Sequence, residues 1–143
     1  MLYKYLFELK LSGVTPIIAH PERYLTVQED YSLITKWLES GCLIQVDAGS
    51  ILGKLGKKSK VVAERIIKNG WCQIIGSDSH DNNNRNFCLK EAYEYACQWI
   101  GNDEVEIFKE NPQKILEGTP IQVDFEYDET GKTFFNKIIS KWL

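Results

Sequence analysis

Three short apolar runs, each opened by a glycine and closed by a polar side chain, set the rhythm of this chain. Gly13 precedes Val14 to Ala19 and then His20. Gly41 precedes Cys42 to Val46 and then Asp47, and Gly70 precedes Trp71 to Gly76, Ser77 and Asp78. Between them, Leu33, Ile34, Trp37 and Leu38 recur on one helical face from Tyr31 to Ser40. Val62, Ala63, Ile66 and Ile67 repeat that spacing from Lys60 to Asn69. Tyr3 to Leu11 reads as an opening helix. Gly41 and Gly70 suit the left-handed position that follows a helix, where a Cβ is strained. The predicted order is α-β-α-β-α-β, with parallel strands because a helix crosses between each pair. The fold class is α/β.

The pattern changes after Asp78. Asp81 to Asn86 is a polar loop with turn chemistry, and a helix from about Phe87 to Ile100 follows. Its expected buried side carries Cys88, Ala92, Tyr95, Ala96 and Trp99. Gly101-Asn102 separates it from a shorter helix near Asp103 to Lys109. Asn111-Pro112 then reads as a fresh helix start running to Leu116 and stopped by Gly118. Ile121 to Tyr127 is expected to form an edge strand, Asp128 to Gly131 a turn, and Thr133 to Leu143 a final amphipathic helix. No low-complexity linker divides the 143 residues, so residues 1–143 are expected to form one domain.

Bulk properties narrow the partners. A net charge of -3 argues against broad binding to nucleic acid or anionic membranes. No apolar stretch approaches bilayer-spanning length, and Met1 to Tyr5 does not resemble a secretion signal, which points to the cytoplasm. The four cysteines, at 42, 72, 88 and 97, show no metal-binding spacing. Cysteine-type phosphatases resemble one another in an arginine six positions after the nucleophile. Here those positions hold Ala48, Asp78, Glu94 and Asp103. Buried, reduced thiols are the reading that remains.

The chemistry concentrates where the predicted strands end. Ligands of α/β folds bind outside the carboxyl ends of parallel strands. His20, Asp47 and Asp78 occupy that edge, with His80 two residues on, and His20 and His80 are the chain's two histidines. Imidazole suits manganese, iron or zinc, and carboxylate favours manganese or magnesium. A metal there would bring the pKa of its water from about 15.7 toward about 7. The plainer alternatives are a hydrogen-bonded strand-end histidine at 20 and a turn at Asp78 and His80. Arg23 and Arg85 present forks that match phosphate oxygens, or serve as surface ion-pair partners. Glu22 is placed to orient Arg23. Asp47 reads as an acceptor behind the ligands or as a helix N-cap. The lysines at 54, 57, 58 and 60 read as a solvated loop.

At these residues the chain resembles the PHP (polymerase and histidinol phosphatase) superfamily. It is most similar to the bacterial manganese-dependent protein-tyrosine phosphatases of capsule and exopolysaccharide operons. The resemblance rests on Pro16 to Tyr24, Gly41 to Val46, Gly76 to His80 and Asn111 to Leu116, in order, across roughly Leu6 to Pro120. It implies a distorted β/α barrel and hydrolysis of phosphotyrosine on a capsule-assembly tyrosine kinase by a metal-bridging hydroxide. It also implies that His20, Asp78 and His80 are metal ligands, with manganese first and iron or zinc next. By the same resemblance Arg23 and Arg85 bind the substrate phosphate. Family members carry a further His-x-His strand, a histidine and a glutamate before the segment matching Gly13. A full β/α barrel needs ~250 residues. The chain is thus expected to correspond to the C-terminal part of such a barrel, about three parallel strands with their helices. With fewer ligands it should hold metal less well, and its open strand edges invite self-association into a homo-oligomer. The competing readings are a histidinol-phosphate phosphatase, a non-catalytic PHP fragment acting as a binding module, and a flavodoxin-like nucleotide-binding domain. The last lacks any Gly-x-Gly-x-x-Gly or Walker loop.

Overall fold

Helix and strand alternate through the first half of the chain as the spacing predicts. The computed structural model describes residues 2–81, 83, 87–123, 126, 127, 133 and 134. Helix α1 (Leu2–Leu11) leads to strand β1 (Ile17–Ala19), which a 3₁₀ turn (Pro21–Arg23) closes. Short α2 (Leu25–Glu29) and α3 (Ser32–Glu39) carry the chain to β2 (Leu43–Asp47). One turn of helix, α4 (Ala48–Ile51), then precedes α5 (Lys57–Lys68) and β3 (Ile74–Gly76). Helices α6 (Leu89–Ile100) and α7 (Asn102–Leu116) follow, and β4 (Glu126–Tyr127) pairs with β5 (Thr133–Phe134) in a separate antiparallel hairpin.

The three main strands form a parallel sheet in the order β1-β2-β3. Ile17 lies opposite Leu43 and Ala19 opposite Gln45, while Gln45 faces Ile74 and Asp47 faces Gly76. This register brings the carboxyl ends of all three strands to one rim. The helices bury the residues their periodicity selects: Ile34, Trp37 and Leu38 of α3, and Val62, Ala63, Ile66 and Ile67 of α5. These join Ile44, Val46 and Ile75 of the sheet and Ala92 and Ala96 of α6 in one apolar core. Each fully buried isoleucine adds about 1.5–3 kcal/mol over an exposed one. Gly41 and Gly70, with φ of 75° and 68°, take the left-handed position expected after α3 and α5.

Several expectations need correction. Asn111-Pro112 does not start a helix; α7 runs through it without a break. Proline cannot donate to the carbonyl four residues back, but the Tyr93 hydroxyl donates to that carbonyl, Phe108 O, at 3.4 Å. Asn111 is buried, and its amide donates to Gln73 O at 2.8 Å, so it ties α7 to β3 rather than capping a helix. Among the described residues of Ile121 to Tyr127, Glu126–Tyr127 alone is strand, and it pairs with β5 rather than adding an edge to the main sheet. Thr133–Phe134 is strand, not the start of a helix. The rest of the predicted final helix and the Asp128 to Gly131 turn lie outside the described residues. The lysines at 57, 58 and 60 belong to α5, not to a loop.

Candidate functional site

Two residues at the strand ends adopt a backbone that their side chains disfavour. His20 (φ 40°) follows β1 and Asp78 (φ 43°) lies two residues beyond β3. They are the non-glycine residues with positive φ among those described. A left-handed backbone outside glycine is destabilising by roughly 1–3 kcal/mol, and such strain clusters at functional sites. At His20 it is held in place by the sheet and the turn. The His20 amide donates to Gln45 O at 2.8 Å, extending the ladder one residue past β1, and Pro21 then opens the 3₁₀ turn. The sharp reversal turns the chain so that Arg23 faces back across the strand ends.

Arg23 joins the two carboxylates there. Its Nη1 lies 3.2 Å from Asp78 Oδ2 and 3.6 Å from Asp47 Oδ2, with the guanidinium only partly exposed. Asp47 is itself fixed: it is almost wholly buried, and its Oδ1 accepts the Gly49 amide at 2.7 Å as the N-cap of α4. The N-cap reading of Asp47 therefore holds, and its second oxygen adds a role in seating Arg23. Glu22 does not orient Arg23. It points into the protein, fully buried, and its Oε1 accepts the Asp47 amide at 3.0 Å. Burial pushes the Glu22 carboxyl up to about 7, only partly offset by the Ser50 hydroxyl and the Asp47 amide. Gln28 completes this support by donating to Glu22 O at 3.0 Å.

His80 is exposed and bound to its own turn, with Nδ1 2.7 Å from Asp78 O and 3.7 Å from Asp78 Oδ1. A carbonyl only accepts, so in the neutral ring Nδ1 carries the hydrogen and Nε2 presents its lone pair. The His20 ring packs edge-on against Tyr24, whose hydroxyl donates to Ala19 O at 3.0 Å. His20 Nδ1 is buried without a hydrogen-bond partner among the described residues. A bare buried nitrogen is unfavourable unless a ligand meets it. In kind, His20, Asp78 and His80 fit a divalent cation. The structure does not bring the three together as one cluster, for no three His, Cys, Asp or Glu side chains among the described residues are grouped to hold an ion. Arg85 lies outside the described residues.

Sequence reasoning therefore found His20, Arg23, Asp78 and His80 on one rim. It offered Asp47 as the helix N-cap that it is and misread Glu22, whose part shows only once β2 lies beside the 3₁₀ turn. Nothing local separates Glu22 from its polar neighbours His20 and Arg23. The cysteines make no hydrogen bond to the site's side chains among the described residues. Cys42, Cys72 and Cys88 are buried free thiols, and burial pushes Cys72 up to about 12, which opposes a thiolate nucleophile. No helix among the described residues is long and apolar enough to cross a membrane.

Known proteins resemble this chain in sequence and fold. The chain is 31% identical over 115 residues to the tyrosine-protein phosphatase YwqE of Bacillus subtilis, covering 80% of the chain and 45% of that protein. It is 31% identical over 110 residues to a putative tyrosine-protein phosphatase CapC of Staphylococcus aureus, covering 77% of the chain and 43% of CapC. Its fold superposes with a TM-score of 0.82 and 29% identity on a chain from the crystal structures of YwqE from Bacillus subtilis and CpsB from Streptococcus pneumoniae, unique metal-dependent tyrosine phosphatases. That superposition covers 86% of this chain and 50% of the other. The chain thus spans under half the length of these two relatives. The family model for capsular polysaccharide synthesis, CpsB/CapC, matches residues 2–117. With that match across most of its length, the chain belongs to the CpsB/CapC family.

Proposed function

We propose that this chain is the C-terminal part of a metal-dependent protein-tyrosine phosphatase, acting on a phosphotyrosine protein of capsule or exopolysaccharide assembly such as its tyrosine kinase. The observation that carries this reading is the coincidence of backbone strain with ligand chemistry: His20 and Asp78 alone, among described non-glycine residues, are held left-handed, and both stand at the strand-end rim. His20, Asp78 and His80 would hold the cation, most naturally manganese, with iron or zinc as alternatives. When bound, such a cation acidifies water to near neutrality and so makes a nucleophile available. Arg23, steadied by Asp47, presents a fork for the phosphate oxygens; Arg85 is assigned the same task by its position after Asp78. Residues 1–143 act as one domain, in the cytoplasm, and the open β1 edge favours a homo-oligomer.

Calorimetric titration with manganese tests the site. Saturable binding that disappears in Asp78→Ala and in His80→Ala supports the proposal, and heats identical to buffer in all three proteins would overturn it. Hydrolysis of phosphotyrosine peptide compared with histidinol phosphate then separates the two phosphatase readings. A non-catalytic binding module is the second reading, favoured because no three such donors are grouped among the described residues. It predicts phosphopeptide binding through Arg23 with no cation dependence.

A further inference from the structure

A groove opens beside the candidate site, between α2 and the first turns of α5, with a volume of about 340 Å³. That is the low end of ligand-site volumes, ~300–1,000 Å³, and suits a few side chains. Its lining includes Leu25, Tyr31, Val61 and Val62, so it presents an apolar surface. Leu25 is 73% exposed and Val61 55%, which leaves apolar side chains in water at the margin of a polar site. The Arg65 guanidinium lies 4.3 Å from the Tyr31 ring centroid and supports that aromatic wall. The groove adjoins the segment that carries Arg23. Leu25 is two residues past Arg23, and Gln28, also in the lining, bonds to Glu22 O at 3.0 Å and lies 3.5 Å from Ser59 Oγ of α5.

Lys57 and Lys58 complete the lining. Both are exposed, and neither side chain makes an ion pair or hydrogen bond among the described residues. Elsewhere on α5, Lys60 is spent on Tyr95, 2.9 Å from its hydroxyl, and Lys68 on Glu64. Glu29 alone of the lining residues is acidic, so the groove is net positive in a chain of net charge -3. Two unpaired ammonium groups beside an apolar floor select carboxylates carried on a chain that also has apolar or aromatic side chains.

We propose that this groove receives the acidic residues flanking the phosphotyrosine of a protein substrate, with Lys57 and Lys58 pairing their carboxylates. The inference rests on the phosphatase reading, for a peptide whose phosphate meets Arg23 would pass beside Leu25, two residues further along the chain.

The test uses four short peptides: phosphotyrosine with acidic or neutral flanks, and the two unphosphorylated counterparts. Binding to the full chain is followed by fluorescence anisotropy and by nitrogen-15 NMR shifts. The acidic phosphopeptide should bind about tenfold more tightly than the neutral one at low ionic strength, and the gap should narrow with salt as exposed charges are screened. Shifts should include Leu25, Gln28 and Val61. The double variant Lys57→Glu, Lys58→Glu should erase the preference while binding the neutral phosphopeptide as before, and Arg23→Gln should weaken both phosphopeptides. Both lysines are exposed, so an unchanged NMR fold is expected. Equal affinity for both flanks, or a preference that survives the double variant, overturns the groove and leaves the phosphatase reading standing. If the phosphate adds nothing but the acidic unphosphorylated peptide binds through Lys57 and Lys58, the groove stands and the phosphatase reading fails. Groove shifts caused by anionic phospholipid vesicles but by none of the peptides would overturn the inference in favour of a membrane surface.

Discussion

Helices α1 and α5 both carry several large apolar residues and have opposite fates. Helix α5 buries Val62, Ala63, Ile66 and Ile67 against the sheet and α6. Helix α1 buries Leu6 and leaves Tyr5, Phe7, Leu9 and Leu11 exposed, between 42% and 74% of their surface. Strand β1 beside it is likewise an edge, with Ile17 39% exposed. The difference is one of partners: α5 packs against α4, α6 and the 3₁₀ turn, and α1 has no such surround among the described residues. An apolar stripe stabilises a fold only in proportion to the surface it meets. A periodic pattern alone does not tell whether that surface is present.

The contrast is easiest to break in the packed half. Ile66→Ala should destabilise by about 2–5 kcal/mol in urea melts; a loss below about 1 kcal/mol would mean the two halves are held alike. Glu22→Gln comes next and is read from pH. Burial keeps Glu22 protonated up to about 7, against 4.5 for the ordinary carboxyl. The folded chain therefore holds this proton in a range where the unfolded chain has released it. The stabilisation from this group is full below 4.5 and is lost as pH climbs through 7. Glu22→Gln lacks that slope, so relative to wild type it should gain up to about 3 kcal/mol between pH 4.5 and pH 8. Urea melts at both pH values check it.

Asn111→Ala should destabilise by about 1–3 kcal/mol, because it strands the Gln73 carbonyl without its donor and unties α7 from β3. At the other extreme, Leu9→Gln on α1 should move stability by no more than about 0.5 kcal/mol. The α1 amides should also exchange with deuterium well before those of α5. Protection of α1 equal to that of α5 would erase the distinction between the two helices.

How far the sequence foretold this molecule follows the same divide between local and distant causes. The parallel strands, the left-handed glycines at 41 and 70, and the rim position of His20 and Asp78 are local matters of period and turn chemistry, and all were legible. Of helix α4 only the Asp47 cap was legible, because its four residues, Gly49 among them, hold no period. Pro112 misled because its rescue comes from Tyr93, fifteen residues before Phe108. Glu22 was misassigned because its partner, the Asp47 amide, lies 25 positions away. Lys57 and Lys58 looked like plain solvated charge, and only the folded chain sets them opposite Leu25.

The awkward backbone at positions 20 and 78 gives a way to sort relatives of this chain. A lineage released from the proposed need to grip a cation would gain by drifting to glycine at either position, since glycine relaxes that geometry. Histidine and aspartate held together at these two positions would then mark members that still perform the chemistry, and a glycine at either would mark one that has given it up.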